Sequence, residues 1–316
     1  MSPAAPPDLR LGRHEGTRSL LARAAGGAPV TTAVVHPVDA GSLLAALDAA
    51  AAGLIVPVLI GPAAGLLDVA AAAGADISRL RLVDTPDGPG AAAQAAALAR
   101  TGEVAMLMKG ALHTEELMHA VIASGSGLRT EQRISHAYLL DVPGYPRPLL
   151  LTDVAINVAP TLEEKVGIVQ NAIDLARILG IVQPRVAILA PVETVSGRLP
   201  TTLDAAALCK MAERGQITGG LLDGPLSFDC AVSRTAAAAK GIVSPVAGQA
   251  DILVVPDLEA GNMLAKALIF LAGAEAAGVV LGARVPIVLT SRADSADTRL
   301  ASCALGVLMA RAGQAA

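Results

Sequence analysis

The densest group of chemically useful side chains lies in the segment 289–299, directly after an apolar run. Ser291 and Arg292 are followed there by Asp294 and Asp297. A guanidinium group can neutralise a phosphate, a hydroxyl can orient a reacting group, and a carboxylate can accept a proton. The spacing therefore favours a site for an anionic substrate, although the same residues could instead cap a helix and form surface ion pairs.

A second group, in the segment 107–114, combines a lysine and a glycine with a helix start. Lys109 and Gly110 follow an apolar run, and His113 precedes Thr114, whose hydroxyl suits the beginning of a helix. Backbone N–H groups at a helix start bind phosphate well. The segment is therefore either a phosphate-binding turn or an ordinary turn with a surface lysine.

Two more polar segments come from the second half of the chain. Asp223 lies in the Gly-rich segment 219–229, whose aspartates are typical of a turn. Asn262 and Lys266 are four residues apart on a predicted helix, so they share one face of it. Each of these side chains is either a substrate-binding group or a solvated surface residue.

Several common catalytic motifs are missing from the sequence. It contains no G-x-x-x-x-G-K-[ST] phosphate loop, no G-x-S-x-G nucleophile elbow and no H-E-x-x-H zinc motif. The segment 125–130 carries only the first two glycines of a dinucleotide fingerprint and follows a predicted helix rather than a strand. Neither the five histidines nor the three cysteines have metal-ligand spacing. We therefore predict neither a metal site nor a tightly bound cofactor.

Composition narrows the choice of partner. The 316 residues carry a net charge of −4 and only 1% aromatic side chains, which argues against nucleic-acid binding by a basic face or by base stacking. Hydrophobic residues make up 53%, yet no uncharged apolar run reaches the roughly 20 residues of a membrane span. The first residues lack the apolar region of a signal peptide. We therefore expect a cytoplasmic protein with an aliphatic core and with neither a membrane nor a nucleic-acid partner.

Short apolar runs alternate with Ala- and Leu-rich stretches of helical spacing along most of the chain. This alternation predicts an α/β fold whose parallel sheet is covered by helices on both faces. In such sheets ligands bind at the carboxyl ends of the strands, where the polar segments described above are expected. The predicted strands are 32–35, 55–60, 80–83, 105–108, 134–140, 149–151, 186–189, 252–255, 279–281 and 287–289. The predicted helices are 41–52, 64–73, 91–100, 114–123, 162–179, 203–214, 230–239, 259–271 and 295–311.

The residues around these polar segments resemble one known family. From about Val34 to about Met309 the sequence is similar to the phosphate acetyltransferase and phosphate butyryltransferase family. The forms at 108–110 and 290–295 are closer to the butyryltransferase-like branch. The segments with nearly literal matches are 107–114, 134–136, 204–212, 219–225, 240–251, 256–266 and 289–294.

The resemblance implies a fold and an assembly. It implies a two-domain α/β/α sandwich of the isocitrate/isopropylmalate dehydrogenase-like type, with the active site in the interdomain cleft. Residues 1–16 would form a flexible leader, 17–143 plus 290–316 a discontinuous first domain, and 144–289 the second domain. The Pro-rich break at 142–148 suits such a boundary. The resemblance also implies a homodimer.

The resemblance further implies a reaction and roles for residues. In this family an acyl phosphate reacts with coenzyme A to give acyl-CoA and inorganic phosphate, by direct attack of the thiolate. Ser291 would orient the thiol or the oxyanion, and Arg292 would bind phosphate. The acetyltransferase branch has an aspartate base seven residues after the serine, where this chain has Thr298. Asp297 is therefore the candidate base, with Asp294 as the alternative.

The substrate-binding residues are less closely specified. The acetyltransferase branch uses further arginines in its first domain, but the segment 114–123 contains none. Arg129 or Lys109 would take their place.

Two other functions stay open at this point. A metal- and NAD-dependent dehydrogenase of the same fold would need a set of acidic or histidine ligands that the sequence does not offer. A non-catalytic coenzyme A-binding relative would have no use for the pair Ser291 and Arg292. The acyl group is also open, because acetyl, propionyl and butyryl differ by methylenes worth only about 1–3 kcal/mol each in a pocket.

Overall fold

The computed structural model describes residues 15–290 and 294–315, which form an eleven-stranded sheet with helices on both faces. The strands are β1 (Val30–Val35), β2 (Ile55–Gly61), β3 (Arg81–Asp84), β4 (Met106–Lys109), β5 (Ser135–Asp141), β6 (Leu149–Thr152), β7 (Arg185–Leu189), β8 (Leu221–Leu226), β9 (Ile252–Val254), β10 (Glu275–Leu281) and β11 (Ile287–Val288). Their order in the sheet is β3-β2-β1-β4-β11-β10-β5-β6-β9-β7-β8.

Helices connect most of these strands, and none in the described part of the chain has both the length and the apolar character needed to cross a bilayer. The helices are α1 (Glu15–Ala25), α2 (Ala40–Ala51), α3 (Ala63–Ala72), α4 (Gly88–Thr101), α5 (Thr114–Ile122), α6 (Leu162–Ile178), α7 (Pro200–Glu213), α8 (Phe228–Val232), α9 (Arg234–Ala239), α10 (Leu258–Phe270) and α11 (Ala296–Ala315).

Strand direction reverses at each step from β11 to β6. β1, β2, β3, β4 and β11 are mutually parallel. β10 is antiparallel to β11, β5 to β10, and β6 to β5. β9, β7 and β8 then run parallel to β6. The carboxyl ends of β1 to β4 and β11 therefore lie at one edge of the sheet, and those of β6 to β9 lie at the opposite edge.

Polar residues at the ends of the strands fix where several helices begin. Asp39, Asp87 and Asp257 accept hydrogen bonds from backbone N–H groups in the first turns of α2, α4 and α10. Thr161 and Glu164 form a reciprocal capping box at the start of α6. Such caps satisfy N–H groups that have no partner within the helix. They hold each connection between strand and helix, and so hold the loops that carry polar side chains.

Aliphatic side chains fill the space between the sheet and its helices. On one face a single buried cluster runs under α1, α2, α6, α7 and α11. On the other face there are two buried clusters, one under α4 and α5 and one under α8, α9 and α10. We call these the continuous face and the divided face. The boundary on the divided face follows the central strands β10 and β5.

The α/β fold with helices on both faces is confirmed, with four differences in detail. The sheet is mixed, because β5 and β10 run against their neighbours. The segment 221–226, taken as a turn from its glycines and aspartates, is β8, an edge strand where Pro225 is tolerated. The predicted helix 230–239 is divided at Ser233, which caps α9. Helix α1 was not predicted; it begins at Glu15 and buries Leu20 against the continuous face.

A histidine is buried in the middle of the divided face. His136, on β5, is 1% exposed, and within the described residues its Nδ1 has no hydrogen-bond partner. Its ring meets the ring of Tyr138 edge to face, with 4.8 Å between centroids. Burial lowers the pKa of His136 from 6.5 to about 4, against the opposing charge of Asp153. The imidazole is therefore neutral in the folded protein near pH 7.

The buried histidine makes folding stability depend on pH. Between pH 6.5 and about 4 the unfolded chain binds a proton at His136 and the folded protein does not, so the unfolding free energy falls as the pH falls. A His136→Gln variant lacks this contribution. Urea unfolding at about pH 7 and about pH 5 should show a shallower loss for the variant, by up to about 1.4 kcal/mol per pH unit.

The control for this measurement is His119→Gln, because His119 is exposed on α5. Its pH dependence should equal that of the unsubstituted protein. Equal slopes for the unsubstituted protein and His136→Gln would contradict the assignment of a depressed pKa to His136.

Candidate active site

Strand direction decides which of the polar segments can meet. The segment 107–114 follows β4 and the segment 289–299 follows β11, two neighbouring parallel strands. Both segments therefore start at the same edge of the sheet. The residues after β8 and β9 lie at the opposite edge, because those strands run the other way. The sequence could not reveal this separation, since it does not encode strand direction in any local pattern.

Lys109 and Gly110 fix the loop that follows β4. The Lys109 side chain is buried, and its Nζ donates to the carbonyl oxygens of Gly110 and Leu112, both at 3.2 Å. A Cβ on Gly110 would lie 2.4 Å from the carbonyl oxygen of Val35, so only glycine fits beside β1. His113 is exposed directly before α5, where its backbone N–H donates to Glu116 Oε2 at 2.7 Å.

The first turn of α11 carries the second group. Asp294 is partly buried, whereas Asp297 is exposed in the first helical turn. Ser295 Oγ accepts from the backbone N–H of Thr298 and donates to its Oγ1, each at 3.1 Å, which caps the helix. Ser291 and Arg292 lie outside the described residues.

The candidates from the second half of the chain are separated from this edge. Asp223 lies within β8, where its Oδ1 accepts from the N–H of Gly224. Asn262 donates to the carbonyl oxygen of Val154 at 3.3 Å, and Lys266 is exposed 6.0 Å from the ring of Phe270 on the same helix. Each of these three side chains therefore contacts a neighbouring group in the second half of the chain.

A cavity of about 990 Å³ opens beside α5. One wall is apolar, from Met118 and Ile122 on α5 with Ile134 and Ile156 opposite. The other walls are polar and carry both signs of charge. Arg129 is exposed here, and no carboxylate of the described residues forms an ion pair with it. The polar lining residues are Thr114, Glu115, Arg129, Thr130, Glu131, Gln132, Arg133, Asn157, Glu163 and Glu164.

A network of buried hydrogen bonds holds one arginine at the rim of this cavity. Arg133 Nε donates to Asn157 Oδ1 at 2.7 Å, and its NH1 lies 2.7 Å from Glu164 Oε1. Asn157 Nδ2 donates in turn to Asp153 Oδ2 at 2.6 Å and to the carbonyl oxygen of Ile134 at 2.9 Å. Asp153 is buried and also accepts three backbone N–H groups, from residues 155–157. The network fixes both the Arg133 guanidinium and the turn after β6.

Arg133, Asp153, Asn157 and Tyr138 are not among the site residues predicted from the sequence. A signal was available for Asp153, which directly follows the apolar run of β6 in the way that other polar segments follow their strands. Arg133 stands immediately before the matching segment 134–136. No local signal marks Tyr138, which lies within a strand.

A cluster of acidic groups at the opposite edge is already paired with a lysine. Glu193, Asp229 and Cys230 offer possible metal-ligand atoms within 4.8 Å of one another. Lys240 Nζ lies 2.8 Å from Glu193 Oε1 and 3.1 Å from Asp229 Oδ2, and it lowers the pKa of Glu193 to about 2. Its ammonium group thus takes the place that a cation would need.

The cavity beside α5 suits the binding of an anionic group. Helix α5 begins five residues after the end of β4, beside the cavity, and α11 begins after the end of β11. Arg129 and Arg133 supply positive charge at the cavity, and the apolar wall can take an uncharged chain. A cavity of mixed polarity with a few fixed polar groups is typical of small-molecule sites.

Comparisons with known proteins identify the family of the chain. The sequence model of a family described as "Phosphate acetyl/butaryl transferase" matches residues 90–307. The matched span contains β4, β11 and all the residues that line the cavity. The resemblance noted in the sequence is therefore confirmed.

Individual relatives and one solved structure lead to the same family. A phosphate acetyltransferase from Rhizobium meliloti is 60% identical over 297 residues, which cover 94% of each chain. A phosphate butyryltransferase from Clostridium acetobutylicum is 40% identical over 278 residues, 88% of this chain and 92% of the relative. The crystal structure of a branched-chain phosphotransacylase from Enterococcus faecalis V583 superposes with a TM-score of 0.77 at 29% identity, covering 88% of this chain and 99% of that one. The chain belongs to the phosphate acetyl/butyryl transferase family.

Proposed function

We propose that this chain is an acyltransferase that moves a short acyl group between phosphate and coenzyme A. The observation that carries the proposal is the 60% identity, over 94% of both chains, to a phosphate acetyltransferase. The identity extends through the segments that follow β4 and β11, where the polar side chains gather. Its substrates are coenzyme A and an acyl phosphate in one direction, and acyl-CoA and inorganic phosphate in the other.

The reaction needs a proton acceptor and groups that stabilise negative charge. The thiol of coenzyme A loses its proton, and the sulfur attacks the carbonyl carbon of the acyl phosphate while the carbonyl electrons move to oxygen. Collapse of this intermediate breaks the bond between carbon and the phosphate oxygen, and phosphate leaves with the electron pair. A thiol with a pKa near ~8.5 is only a few per cent ionised at neutral pH, so a base accelerates the attack.

Ser291 and Arg292 are assigned to this step by family resemblance. Arg292 binds the phosphate with its planar guanidinium group, and Ser291 orients the thiol or donates to the oxyanion. Arg129 adds positive charge on the cavity side. The contacts of Lys109 with the carbonyl oxygens of Gly110 and Leu112 support a role in holding the loop that faces the substrate.

Asp294 is the better of the two candidate bases. It is partly buried, and its charge adds to the effect of burial in raising the pKa of the Tyr138 phenol. Asp297, the candidate one residue before the family position at Thr298, is exposed in the first turn of α11. An exposed carboxylate at a helix start stabilises the helix. A base has to lie within hydrogen-bond reach of the proton that it takes, so the more enclosed Asp294 suits the role.

The cavity beside α5 is the proposed site of the coenzyme A arm. Its apolar wall and its fixed amide and hydroxyl groups suit the uncharged pantetheine chain, and Arg129 suits a phosphate of the nucleotide end. In this proposal the cavity is part of a cleft between two domains, as in the isocitrate/isopropylmalate dehydrogenase-like sandwich. The first domain is 17–143 plus 290–316, and the second is 144–289. The two separate clusters on the divided face support that division.

A homodimer and a cytoplasmic location complete the proposal. Apolar side chains are exposed at the end of α10, where Phe270 is 67% and Leu271 89% exposed, and contact with a second copy would cover them. Light scattering should give the mass of a dimer. A monomeric mass at micromolar concentration would contradict this assembly and would leave the proposed reaction unaffected.

The dehydrogenase alternative is not favoured. The similar chains named above are a phosphate acetyltransferase, a phosphate butyryltransferase and a phosphotransacylase. Within the described residues, the group closest to a metal site is the one that Lys240 already neutralises.

A thioester assay tests the proposed function directly. The protein is supplied with coenzyme A and acetyl, propionyl or butyryl phosphate, and thioester formation is followed by ultraviolet absorbance. We expect turnover, and the ranking of the three donors identifies the acyl group. Arg292→Ala should lower turnover by roughly 100-fold or more with folding intact, whereas Arg198→Ala, an exposed residue of the opposite half, should not. No thioester from any donor would refute the function.

A pair of variants separates the candidate bases. Asp294→Asn should lower the rate at neutral pH by about 100-fold or more, because general-base assistance is typically worth that much. The deficit should shrink as the pH approaches ~8.5, since the thiol then ionises without help. Asp297→Asn should stay within about threefold of the unsubstituted protein. The opposite ranking, with equal thermal stability of both variants, would assign the base to Asp297.

A further inference from the structure

Tyr138 lies level with the carboxyl ends of β4 and β11, although it belongs to neither strand. The register pairs Met108 with Val288 and Val288 with Val279. The next row of the sheet therefore passes from Lys109 through residue 289 to Gly278, and Gly278 pairs directly with Tyr138. The tyrosine is thus at the height of the sheet from which the segment 289–299 departs.

The side chain of Tyr138 is on the face over which that segment begins. Residues directly opposite each other in an antiparallel pair point to the same face. A Cβ on Gly278 would lie 2.8 Å from Tyr138 Cε1, 3.1 Å from the carbonyl oxygen of Leu289 and 3.2 Å from His136 Nε2. These three atoms thus surround the space that a side chain at position 278 would occupy. Gly278 thus leaves room for the backbone of Leu289 and the edge of the phenol ring to lie on either side of this space.

Helix α11 is tied to the same row from the other face. The backbone N–H of Gly278 donates to Ser302 Oγ at 2.9 Å, and Ser302 Oγ donates to the carbonyl oxygen of Thr298 at 2.7 Å. This buried connection fixes the first turns of α11 relative to β10. Asp294 comes two residues before α11, so the connection also constrains the position of Asp294. After burial, the charge of Asp294 is the second cause that raises the pKa of Tyr138.

The two tyrosine hydroxyls of the chain differ in their hydrogen bonds to the described residues. Within residues 15–290 and 294–315 the hydroxyl of Tyr138 makes no hydrogen bond, whereas the hydroxyl of Tyr145 donates to the carbonyl oxygen of Ala250 at 2.6 Å. Tyr138 is only partly buried. A tyrosine hydroxyl in a partly apolar setting usually has a partner.

We propose that Tyr138 is a further catalytic residue, whose hydroxyl donates a hydrogen bond to the carbonyl oxygen of the acyl phosphate. This inference rests on the proposed function. As sulfur attacks, that oxygen gains the carbonyl electron pair, and the phenol stabilises it without transferring its proton. When the intermediate collapses, the pair returns to re-form the carbonyl and phosphate leaves. Preorganised donors of this kind have their largest effect on the transition state.

The protonation of the neighbouring groups is consistent with this role. Burial and the charge of Asp294 raise the pKa of Tyr138 to about 12, so the phenol keeps its proton throughout the working range of pH. His136, in edge contact with the same ring, is neutral near pH 7. The Tyr138 phenol and the His136 imidazole are therefore both neutral. They add no charge that would bind the substrate more tightly in its ground state.

A tyrosine can also be a purely structural residue, and Tyr138→Phe separates the two possibilities. The variant keeps the ring that packs against His136 and over Gly278, and it removes only the hydroxyl. The thioester assay is run with acetyl, propionyl and butyryl phosphate, and thermal unfolding is measured alongside. We expect kcat to fall by about 100-fold with every donor, with the KM for coenzyme A and the Tm close to those of the unsubstituted protein.

The matched control is Tyr145→Phe, which removes the other tyrosine hydroxyl of the chain. That variant should lower the Tm, because the carbonyl oxygen of Ala250 loses its donor, and should leave kcat unchanged. A Tyr138→Phe variant with unchanged kcat would overturn the inference, as would one that changes only the ranking of donors or only a KM. If the unsubstituted protein makes no thioester, the proposed function fails; turnover by the unsubstituted protein and by Tyr138→Phe alike would overturn the role of Tyr138 alone.

Discussion

The reversal of strand direction between β11 and β6 is the constraint on which the rest of this structure depends. It keeps both halves of the chain in one sheet, but the parallel strands of the two halves have their carboxyl ends at opposite edges. A ligand that touches both halves therefore cannot sit at a shared edge, as it would in a fully parallel sheet. It has to lie along a face, and among the described residues the divided face has two separate buried clusters with a boundary between them. The cavity beside α5 lies in a position of this kind.

Polar side chains are also found at or beside the central strands, and each has a different set of hydrogen-bond partners. Asp153 is charged and accepts three backbone N–H groups and the amide of Asn157, which satisfies a buried carboxylate. His136 has no partner for its Nδ1 in the described residues and responds by staying neutral. Arg133 reaches the rim of the cavity, where Asn157 and Glu164 hold it. The charge of Arg133 is thus held at the rim of the cavity, while His136 on the divided face is neutral.

The sequence was informative wherever a local pattern determines the structure. Alternation of apolar runs and helical stretches predicted most strands and helices, and acidic or hydroxyl residues such as Asp257 and Thr161 marked helix starts. It was not informative about pairing. In the sequence, Asp223 and Asn262 are as close to apolar runs as Lys109 is. Because β8 and β9 run opposite to β4, however, these two residues lie toward the other edge of the sheet. Direction depends on contacts between distant segments, which no short window of sequence contains.

Gly278 shows how a residue without a side chain can decide where chemistry takes place. In an ordinary antiparallel row the side chain at position 278 would stand between Tyr138 and the backbone at Leu289. Its absence brings the phenol and the start of the segment 289–299 to either side of one small space. Burial raises the pKa of Tyr138, and the charge of Asp294 raises it further, so the phenol keeps its proton and can act as a donor. The tyrosine thus suits the role of a hydrogen-bond donor, whereas the role of proton acceptor is left to a carboxylate.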